Sequence, residues 1–267
     1  MFVSGNVVFI ELHKTGCTHI GKLLSSLMEG RQIGKHNPAT PELFRDRRYF
    51  LGSIRNPWEW YVSLWSYGCD KKGGLYESVT RGRGTLRGLG WRSNPWGAAL
   101  VLAADLSREP DTWKQCYADV HDASQFRNWL YMMHDKSYWP HFGEGYASSR
   151  LKTFAGFLTF RYLKLFCRRD LKEVRSFRAL RDFAGTNCYI DHFIRNERLE
   201  EDLIGALDSC GVRLSENQRD RIRSSGRTNA SSRKQNASYY YDDDTIALVY
   251  ERERFIVDKF GYVPPTA

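Results

Sequence analysis

The chain has 267 residues, of which 42% are hydrophobic and 14% aromatic, so it can bury the core of one large domain. Forty Lys and Arg against 31 Asp and Glu give a net charge of +9, which favours anionic partners: nucleotides, nucleic acid, acidic glycans or an anionic membrane face. No run approaches the roughly 18 uninterrupted apolar residues of a membrane-spanning helix, and the N-terminus lacks the charged start and apolar middle of a secretory signal. We therefore expect no membrane span and a cytoplasmic location.

Six cysteines are spread along the chain: Cys17, Cys69, Cys116, Cys167, Cys188 and Cys210. None forms a Cys-x-x-Cys pair, and their separations match neither a zinc site nor a disulfide framework. We expect reduced thiols, as in a cytoplasm, and no bound metal.

The N-terminal part of the chain predicts two units of strand, turn and helix. Residues 7–12 form a short apolar run rich in β-branched residues, which is typical of a buried strand in a parallel sheet. Apolar residues at helical spacing follow at once: Ile20, Leu23, Leu24, Leu27 and Met28. A second strand is predicted over residues 49–54, and Pro57 fits the first turn of the helix that follows it.

Residues 68–150 depart from this pattern. They begin with a Gly- and Arg-rich stretch and continue into a region with five tryptophans: Trp91, Trp96, Trp113, Trp129 and Trp139. One interpretation is an insertion or lid over the carboxyl edge of the sheet, since loops of that length are usually functional or disordered. The other is a surface loop followed by helices that use the aromatic residues as anchors.

The last third of the chain returns to alternating elements. Residues 189–195 predict a strand, and residues 196–211 predict the helix after it. The C-terminal helix starts at residues 242–244, whose negative charge suits a helix N-terminus, and ends at Gly261. The whole pattern predicts one α/β domain over residues 1–267, with a mostly parallel central sheet that binds its ligands at the carboxyl ends of the strands.

The turn between the first strand and the first helix, residues 13–19, has the features of an anion site. A strand that passes through a glycine turn into a helix presents free backbone N–H groups and the positive end of the helix dipole, which attract phosphate or sulfate oxygens. Lys14 adds a positive charge, and Thr15 and Thr18 add hydroxyl donors.

Two motifs together resemble the sulfotransferases that use 3′-phosphoadenosine 5′-phosphosulfate (PAPS). The stretch HKTGCT at residues 13–18 is similar to that family's 5′-phosphosulfate loop, in which Lys-Thr/Ser-Gly-x-Thr follows the first strand. The stretch RNPWEWYVS at residues 55–63 is similar to its 3′-phosphate motif, an Arg after a core strand and a Ser eight residues later. The resemblance is to the carbohydrate-type and bacterial branch and covers residues 5–67 and 187–262. His13 and Cys17 depart from it, since many members have Pro and Gly or Ser there.

This resemblance implies a P-loop-like parallel sheet flanked by helices, with a helical or loop insertion after the second motif. It implies that PAPS is bound by the two motifs, through Lys14, Thr15, Gly16, Cys17, Thr18, His19, Arg55 and Ser63. The stretch SGRTNASSRKQNAS at residues 225–238 resembles the loop that closes over the 3′-phosphate, which adds Arg227, Asn229, Ser231 and Arg233. The implied reaction transfers a sulfuryl group to an acceptor hydroxyl of a glycan or glycan-like molecule and leaves 3′,5′-adenosine bisphosphate (PAP). It requires no metal and involves no nucleic acid.

Sulfuryl transfer needs a base for the acceptor hydroxyl and a cation near the departing oxygen. Lys14 suits the second task. His36 is the candidate base, because related enzymes place a basic His in this region and an imidazole accepts a proton near neutral pH. A surface histidine in a polar loop is the alternative. Three residues stand in reserve for the same role: Asp191, His192 and Glu59.

Other interpretations stay open at this point. A basic cluster either binds an acidic acceptor or forms a solvated helix face: Arg161, Lys164, Arg168, Arg169, Lys172, Arg175, Arg178 and Arg181. The spacing Gly16-x4-Gly21-Lys22 resembles the P-loop of a nucleotide kinase that binds magnesium-ATP, but Leu23 stands where that motif needs a Ser or Thr metal ligand. A nucleic-acid or polyanion binding module is suggested by the net charge and by the Arg-Gly stretch at residues 81–92.

Overall fold

The computed structural model describes residues 1–82, 99, 102, 105, 106, 108–226 and 235–266. The strands in these ranges are β1 (Phe2–Ser4), β2 (Val7–Ile10), β3 (Gly30–Gln32), β4 (Tyr49–Ile54) and β5 (His192–Arg195). The helices are α1 (Cys17–Leu27), α2 (Pro57–Cys69), α3 (Gly74–Thr80), α4 (Pro110–Cys116), α5 (Ala123–His134), α6 (Phe157–Phe166), α7 (Phe177–Asn187), α8 (Leu199–Ser209), α9 (Glu216–Arg223) and α10 (Asp243–Phe260). Within the same ranges, no helix combines the length and the apolar content needed to cross a membrane.

The strands form one five-stranded sheet in the order β3-β1-β2-β4-β5. β2, β4 and β5 run parallel to one another, whereas β1 is antiparallel to both of its neighbours. The predicted α/β class is confirmed, but the sheet is mixed rather than mostly parallel. The reason is local: two residues join β1 to β2, and a connection that short permits only an antiparallel pair.

The sheet is covered on both faces, because successive side chains of a strand point to opposite sides. Val8 and Ile10 of β2 pack into the larger core, with side chains from α2, α5, α6 and α10. Val7 and Phe9 pack into the second core, with side chains from α1 and α8. A parallel ladder buried in this way leaves the carboxyl edge of the strands as the place for a ligand.

Several element bounds differ from the sequence-based expectation. β2 ends at Ile10, two residues early, because Glu11 and Leu12 already belong to the loop that leads to α1. α8 begins at Leu199, after a short 3₁₀ turn at Asn196–Arg198. α2 continues to Cys69, so the first residues of the 68–150 segment belong to this helix.

The described parts of the 68–150 segment are held to the protein by aromatic side chains. Trp113, Trp129 and Trp139 are buried, and the Trp129 indole N–H donates to the Tyr117 hydroxyl at 2.6 Å. These three tryptophans are core anchors, as the second interpretation of this segment expected. Trp91 and Trp96 lie outside the described residues.

Candidate active site

The carboxyl ends of the three parallel strands meet at one edge of the sheet. β2 leads into the loop that carries Lys14, β4 leads into Arg55, and β5 leads into the turn Asn196–Arg198. The segments touch: the Asn56 N–H donates to Glu197 Oε1 at 2.7 Å, and Arg55 Nη1 donates to the Lys14 carbonyl at 3.4 Å. Parallel pairing thus joins two motifs that lie 41 residues apart in the sequence.

The loop after β2 turns sharply at two left-handed residues, Lys14 with φ 63° and Gly16 with φ 78°. A Cβ atom on Gly16 would lie 2.7 Å from Asn196 Nδ2 and 2.8 Å from Leu199 Cδ1. Both the backbone conformation and the close approach of the chain after β5 therefore require glycine at this position.

Thr15 and Cys17 support the loop from inside. The Thr15 hydroxyl is fully buried, donates to the Leu12 carbonyl at 2.7 Å and bonds Ser53 Oγ of β4 at 2.6 Å. Burial raises the pKa of the Cys17 thiol, so the thiol stays protonated. These side chains stabilise the shape of the loop. They would assist anion binding indirectly, through the backbone that they hold in place.

The N-terminus of α1 is suited to an anion. Gly16 is its N-cap, its first turn contains no acidic residue, and no side chain in the described part of the chain caps it, which favours an anion at the positive end of the dipole. In the first turn, the Thr18 hydroxyl accepts from Lys35 Nζ at 3.1 Å, and His19 Nε2 lies 3.1 Å from Ser225 Oγ. Ser225 precedes the four loop residues predicted to bind the 3′-phosphate, all of which lie outside the described residues: Arg227, Asn229, Ser231 and Arg233.

Lys14 and Arg55 bring two cations to this edge. The Lys14 ammonium lies 3.8 Å from the centroid of the Tyr67 ring, and Arg55 Nη2 pairs with Glu59 Oε2 at 2.9 Å. Burial, and after it the charge of Arg55, lowers the pKa of Lys14 from 10.5 to about 8. The charge of Arg55 therefore disfavours the charged form of Lys14, and a bound anion would favour it.

Ser63 lies on the face of α2 that belongs to this site. Glu59, Ser63 and Tyr67 are each four residues apart and hence share one face of the helix, on which Ser63 is buried at 7% exposed. Glu59 pairs with Arg55 and the Tyr67 ring contacts Lys14, so Ser63 lies between two residues that touch the site.

His36 lies next to the loop after β2. Its Nδ1 is 2.9 Å from the Glu11 carbonyl, and its ring stacks on that of His13 with centroids 3.5 Å apart and planes 17° from parallel. Because a carbonyl only accepts, Nδ1 carries the proton in this bond and Nε2 keeps the lone pair that a base needs. Burial lowers the pKa of His36 below 6.5, which keeps the ring neutral near pH 7.

An ion pair between buried Arg161 and exposed Glu144 lies beside the two histidines. Arg161 is 3% exposed. Its guanidinium donates two hydrogen bonds to the Glu144 carboxylate, one from Nε at 3.0 Å and one from Nη2. Burial alone would raise the pKa of Glu144, but the Arg161 guanidinium holds it below its usual value. Burial, then the charge of Arg161, lowers the pKa of His13, which shows that Arg161 acts on the histidine pair. Lys164 adds a further cation by donating to the Glu144 carbonyl at 2.6 Å.

Other candidates lie elsewhere. Asp191 and His192 are at the start of β5, the opposite end from the site, and Asp191 accepts the Phe50 N–H at 2.7 Å. The remaining residues of the basic cluster are exposed, as expected for a solvated face: Arg168, Arg169, Lys172, Arg175, Arg178 and Arg181. Lys22 is exposed on α1, which is already helical from Cys17 onward.

Sequence-based reasoning missed Tyr67, Lys35 and Glu144. Tyr67 was predictable, since it falls four residues after Ser63 on the same helix face. Glu144 was not predictable, because it comes from a segment distant in the sequence. In the structure its backbone is left-handed, with φ 64°. Lys14 and His36 share this conformation, and strained residues of this kind gather at functional sites.

The described part of the site thus combines an open helix N-terminus, two neighbouring cations and a neutral imidazole with a free nitrogen. No protein-family model, curated protein or solved structure matches the chain.

Proposed function

We propose that the chain is a PAPS-dependent sulfotransferase that transfers a sulfuryl group to an acceptor hydroxyl. The observation that carries the proposal is the convergence of Lys14 and Arg55, from two different strand, loop and helix units, beside the uncapped N-terminus of α1. PAPS has a phosphosulfate at one end and a separate phosphate on its ribose, so it suits a site with two cations and a helix N-terminus. In this proposal, β2 with α1 and β4 with α2 act as the P-loop-like half of the sheet.

The two ends of PAPS would be divided between the two motifs. The backbone of residues 14–19, which leads into the start of α1, and the Lys14 ammonium would hold the 5′-phosphosulfate. Arg55 and Ser63 would hold the 3′-phosphate, together with the loop that follows Ser225. Arg55 then serves both groups, because it also donates to the Lys14 carbonyl.

The chemical step needs one proton acceptor and one stabilising cation. The Nε2 lone pair of His36 would take the proton of the acceptor hydroxyl as its oxygen forms a bond to sulfur. The bond from sulfur to the bridging phosphate oxygen breaks in the same step, and the Lys14 ammonium stabilises the negative charge gathering on that oxygen. The products are a sulfate ester, PAP and protonated His36.

The surroundings of His36 favour an acceptor with an anionic group near its hydroxyl, such as an acidic glycan. Lys35 and Lys164 are exposed, and both lower the pKa of the His13 ring that stacks on His36. Arg161 lies on the same side, although Glu144 already offsets its charge.

The direct test is calorimetric binding of PAP, with a chelator present, to wild type, Arg55→Ala and Lys22→Ala. We expect Arg55→Ala to weaken binding at least about tenfold, about 1.4 kcal/mol, since it removes a charged contact to phosphate. Lys22→Ala is the matched control, because Lys22 is an exposed cation of α1 that the rival kinase motif requires.

Unchanged PAP affinity in Lys22→Ala, with loss in Arg55→Ala, would support the proposal and justify a screen of sulfate acceptors. Absence of PAP binding to wild type, or tighter binding of magnesium-ATP that Lys22→Ala abolishes, would overturn it in favour of the kinase.

A further inference from the structure

The fold brings two of the six cysteines side by side. Cys167 directly follows α6 and Cys188 directly follows α7, and the two residues pair across a short antiparallel bridge. The hydrogen bonds of this bridge join the flanking residues: the Arg168 N–H donates to the Asn187 carbonyl at 3.1 Å, and the Tyr189 N–H donates to the Phe166 carbonyl at 3.0 Å.

The register of the bridge determines how the cysteines face each other. Both hydrogen bonds lie outside the pair, one on each side, so Cys167 and Cys188 occupy a non-hydrogen-bonded position of the ladder. At such positions the opposed Cα atoms are about 4.5 Å apart, the closest approach in an antiparallel pair. A disulfide spans Cα separations of about 4.4 to 6.8 Å, so the backbone already permits one.

The environment of the sulfur atoms favours Cys188 as the nucleophile. Cys188 is half-buried, whereas Cys167 is 6% exposed. A hydrogen bond from the Cys167 thiol lowers the pKa of Cys188, and so does the Tyr162 hydroxyl, whose oxygen lies 3.3 Å from Cys188 Sγ. The more exposed cysteine is therefore also the one whose thiolate is better stabilised.

We propose that Cys167 and Cys188 form a dithiol site that a small disulfide, such as oxidised glutathione, converts into an intramolecular disulfide. The Cys188 thiolate attacks one sulfur of the small disulfide, whose S–S bond breaks and releases one small thiolate. Cys167 then loses its proton and attacks Cys188 Sγ, which forms the protein disulfide and releases the second small thiolate. The protein gives up two electrons and two protons, and the small disulfide is reduced to two thiols.

The dithiol site does not depend on the proposed transferase activity. It lies at the end of α6, a helix that also contributes cations near His36. α6 carries Arg161 and Lys164, and Cys167 is the residue directly after its end at Phe166. The chain after Cys188 enters β5 four residues later. A disulfide would fix the end of α6 to the segment that leads into the sheet.

The test uses the full chain, reduced and native, incubated with oxidised glutathione and then alkylated. Intact mass and peptide mapping should show the loss of two hydrogen atoms and a peptide pair that joins Cys167 to Cys188. Thermal unfolding of the oxidised protein should shift to higher temperature and return to the reduced value after dithiothreitol, because the cross-link restricts the unfolded chain.

Variants distinguish this site from general thiol oxidation. Cys167→Ser should stop at a stable glutathione adduct on Cys188, since the resolving thiol is gone. Cys210→Ser, which removes another half-buried cysteine, should form the link as wild type does. A folded wild-type protein that forms no link between Cys167 and Cys188, while the same residues link after denaturation, would overturn the proposal. Equal cross-linking of other cysteines would overturn it as well.

Discussion

At the scale of single residues, the candidate site contains two titratable groups whose environments lower their pKa values. Burial and the charge of Arg55 lower the pKa of Lys14 to about 8, and burial lowers the pKa of His36 below 6.5. Between these values Lys14 is an ammonium and His36 is a neutral imidazole. Those are the forms that a leaving-group cation and a general base require.

We therefore predict a bell-shaped dependence of kcat/KM for PAPS on pH. The rising limb should lie below pH 6.5, where His36 loses its proton, and the falling limb should lie near pH 8, where Lys14 of the free protein becomes neutral. Lys14→Arg should lower turnover but move the falling limb upward, because a guanidinium keeps its proton. A falling limb that stays near pH 8 in Lys14→Arg would assign it to a different group.

His36→Gln should reduce kcat by about 10²- to 10⁴-fold, the usual contribution of a general base, and leave PAP affinity nearly unchanged. His192→Gln is the matched control, since His192 lies at the far end of β5 and was a reserve candidate for the same role. Steady-state kinetics and calorimetry on both variants check the prediction. Normal turnover of His36→Gln would place the base elsewhere.

At the scale of elements, α10 positions the helix that carries Arg161. The Glu253 carboxylate of α10 is fully buried and accepts the Leu158 and Thr159 N–H groups at the start of α6, at 3.0 and 2.9 Å. Glu253 has non-helical dihedral angles, φ −109° and ψ 17°, so α10 is kinked where it delivers this carboxylate. A carboxylate suits a helix N-terminus, where it meets unpaired N–H groups and the positive dipole end.

Glu253→Gln should lower the free energy of unfolding by about 2 to 4 kcal/mol, because an amide has one acceptor oxygen and turns its N–H₂ group toward buried donors. In the wild-type protein, the Glu253 carboxylate also accepts hydrogen bonds from the hydroxyls of Tyr61 and Thr159, each at 2.6 Å. Glu251→Gln on the exposed side of α10 should change the same quantity by no more than about 0.5 kcal/mol. Urea denaturation of both variants measures the difference. Equal stabilities would remove Glu253 as an anchor of α6.

At the scale of the whole molecule, a net charge of +9 suits two kinds of binding: a localised anion site and an extended surface that binds polyanions. Burial of the cations involved distinguishes the two. Lys14 and Arg55, the cations proposed to bind the nucleotide, are partly buried, whereas Arg168, Arg169, Lys172, Arg175, Arg178 and Arg181 are exposed to solvent. Buried charges are screened less by salt than exposed ones.

We predict that PAP affinity falls by no more than about tenfold between about 50 and 200 mM salt, whereas any binding of duplex DNA falls by about 10³-fold or more. Arg55→Ala should weaken binding of PAP and leave DNA binding unchanged. Titrations of both ligands over the salt series provide the measurement. Duplex DNA that binds more tightly than PAP at about 150 mM salt would favour the nucleic-acid module.

Much of the site's framework was predictable because its signals are local. The strand that ends before Arg55 and the helix that begins at Pro57 follow from apolar runs and a proline, and β4 and α2 have those starting points. The pairing of β1 was not predicted, since the three-residue strand is too short to show a period. Glu144 comes close to His36 and Arg161 only through packing between segments far apart in sequence.

By itself, the sequence determined the α/β class and the two loops that follow β2 and β4. Each depends on residues close together in the chain, where spacing and backbone preference decide the outcome. Only the tertiary structure decided the mixed sheet, the hydrogen bond between His36 Nδ1 and the Glu11 carbonyl, the pairing of buried Arg161 with Glu144 and the pairing of Cys167 with Cys188. Those features depend on which distant segments come into contact, and that is settled by the register of strands and the packing of helices on the sheet.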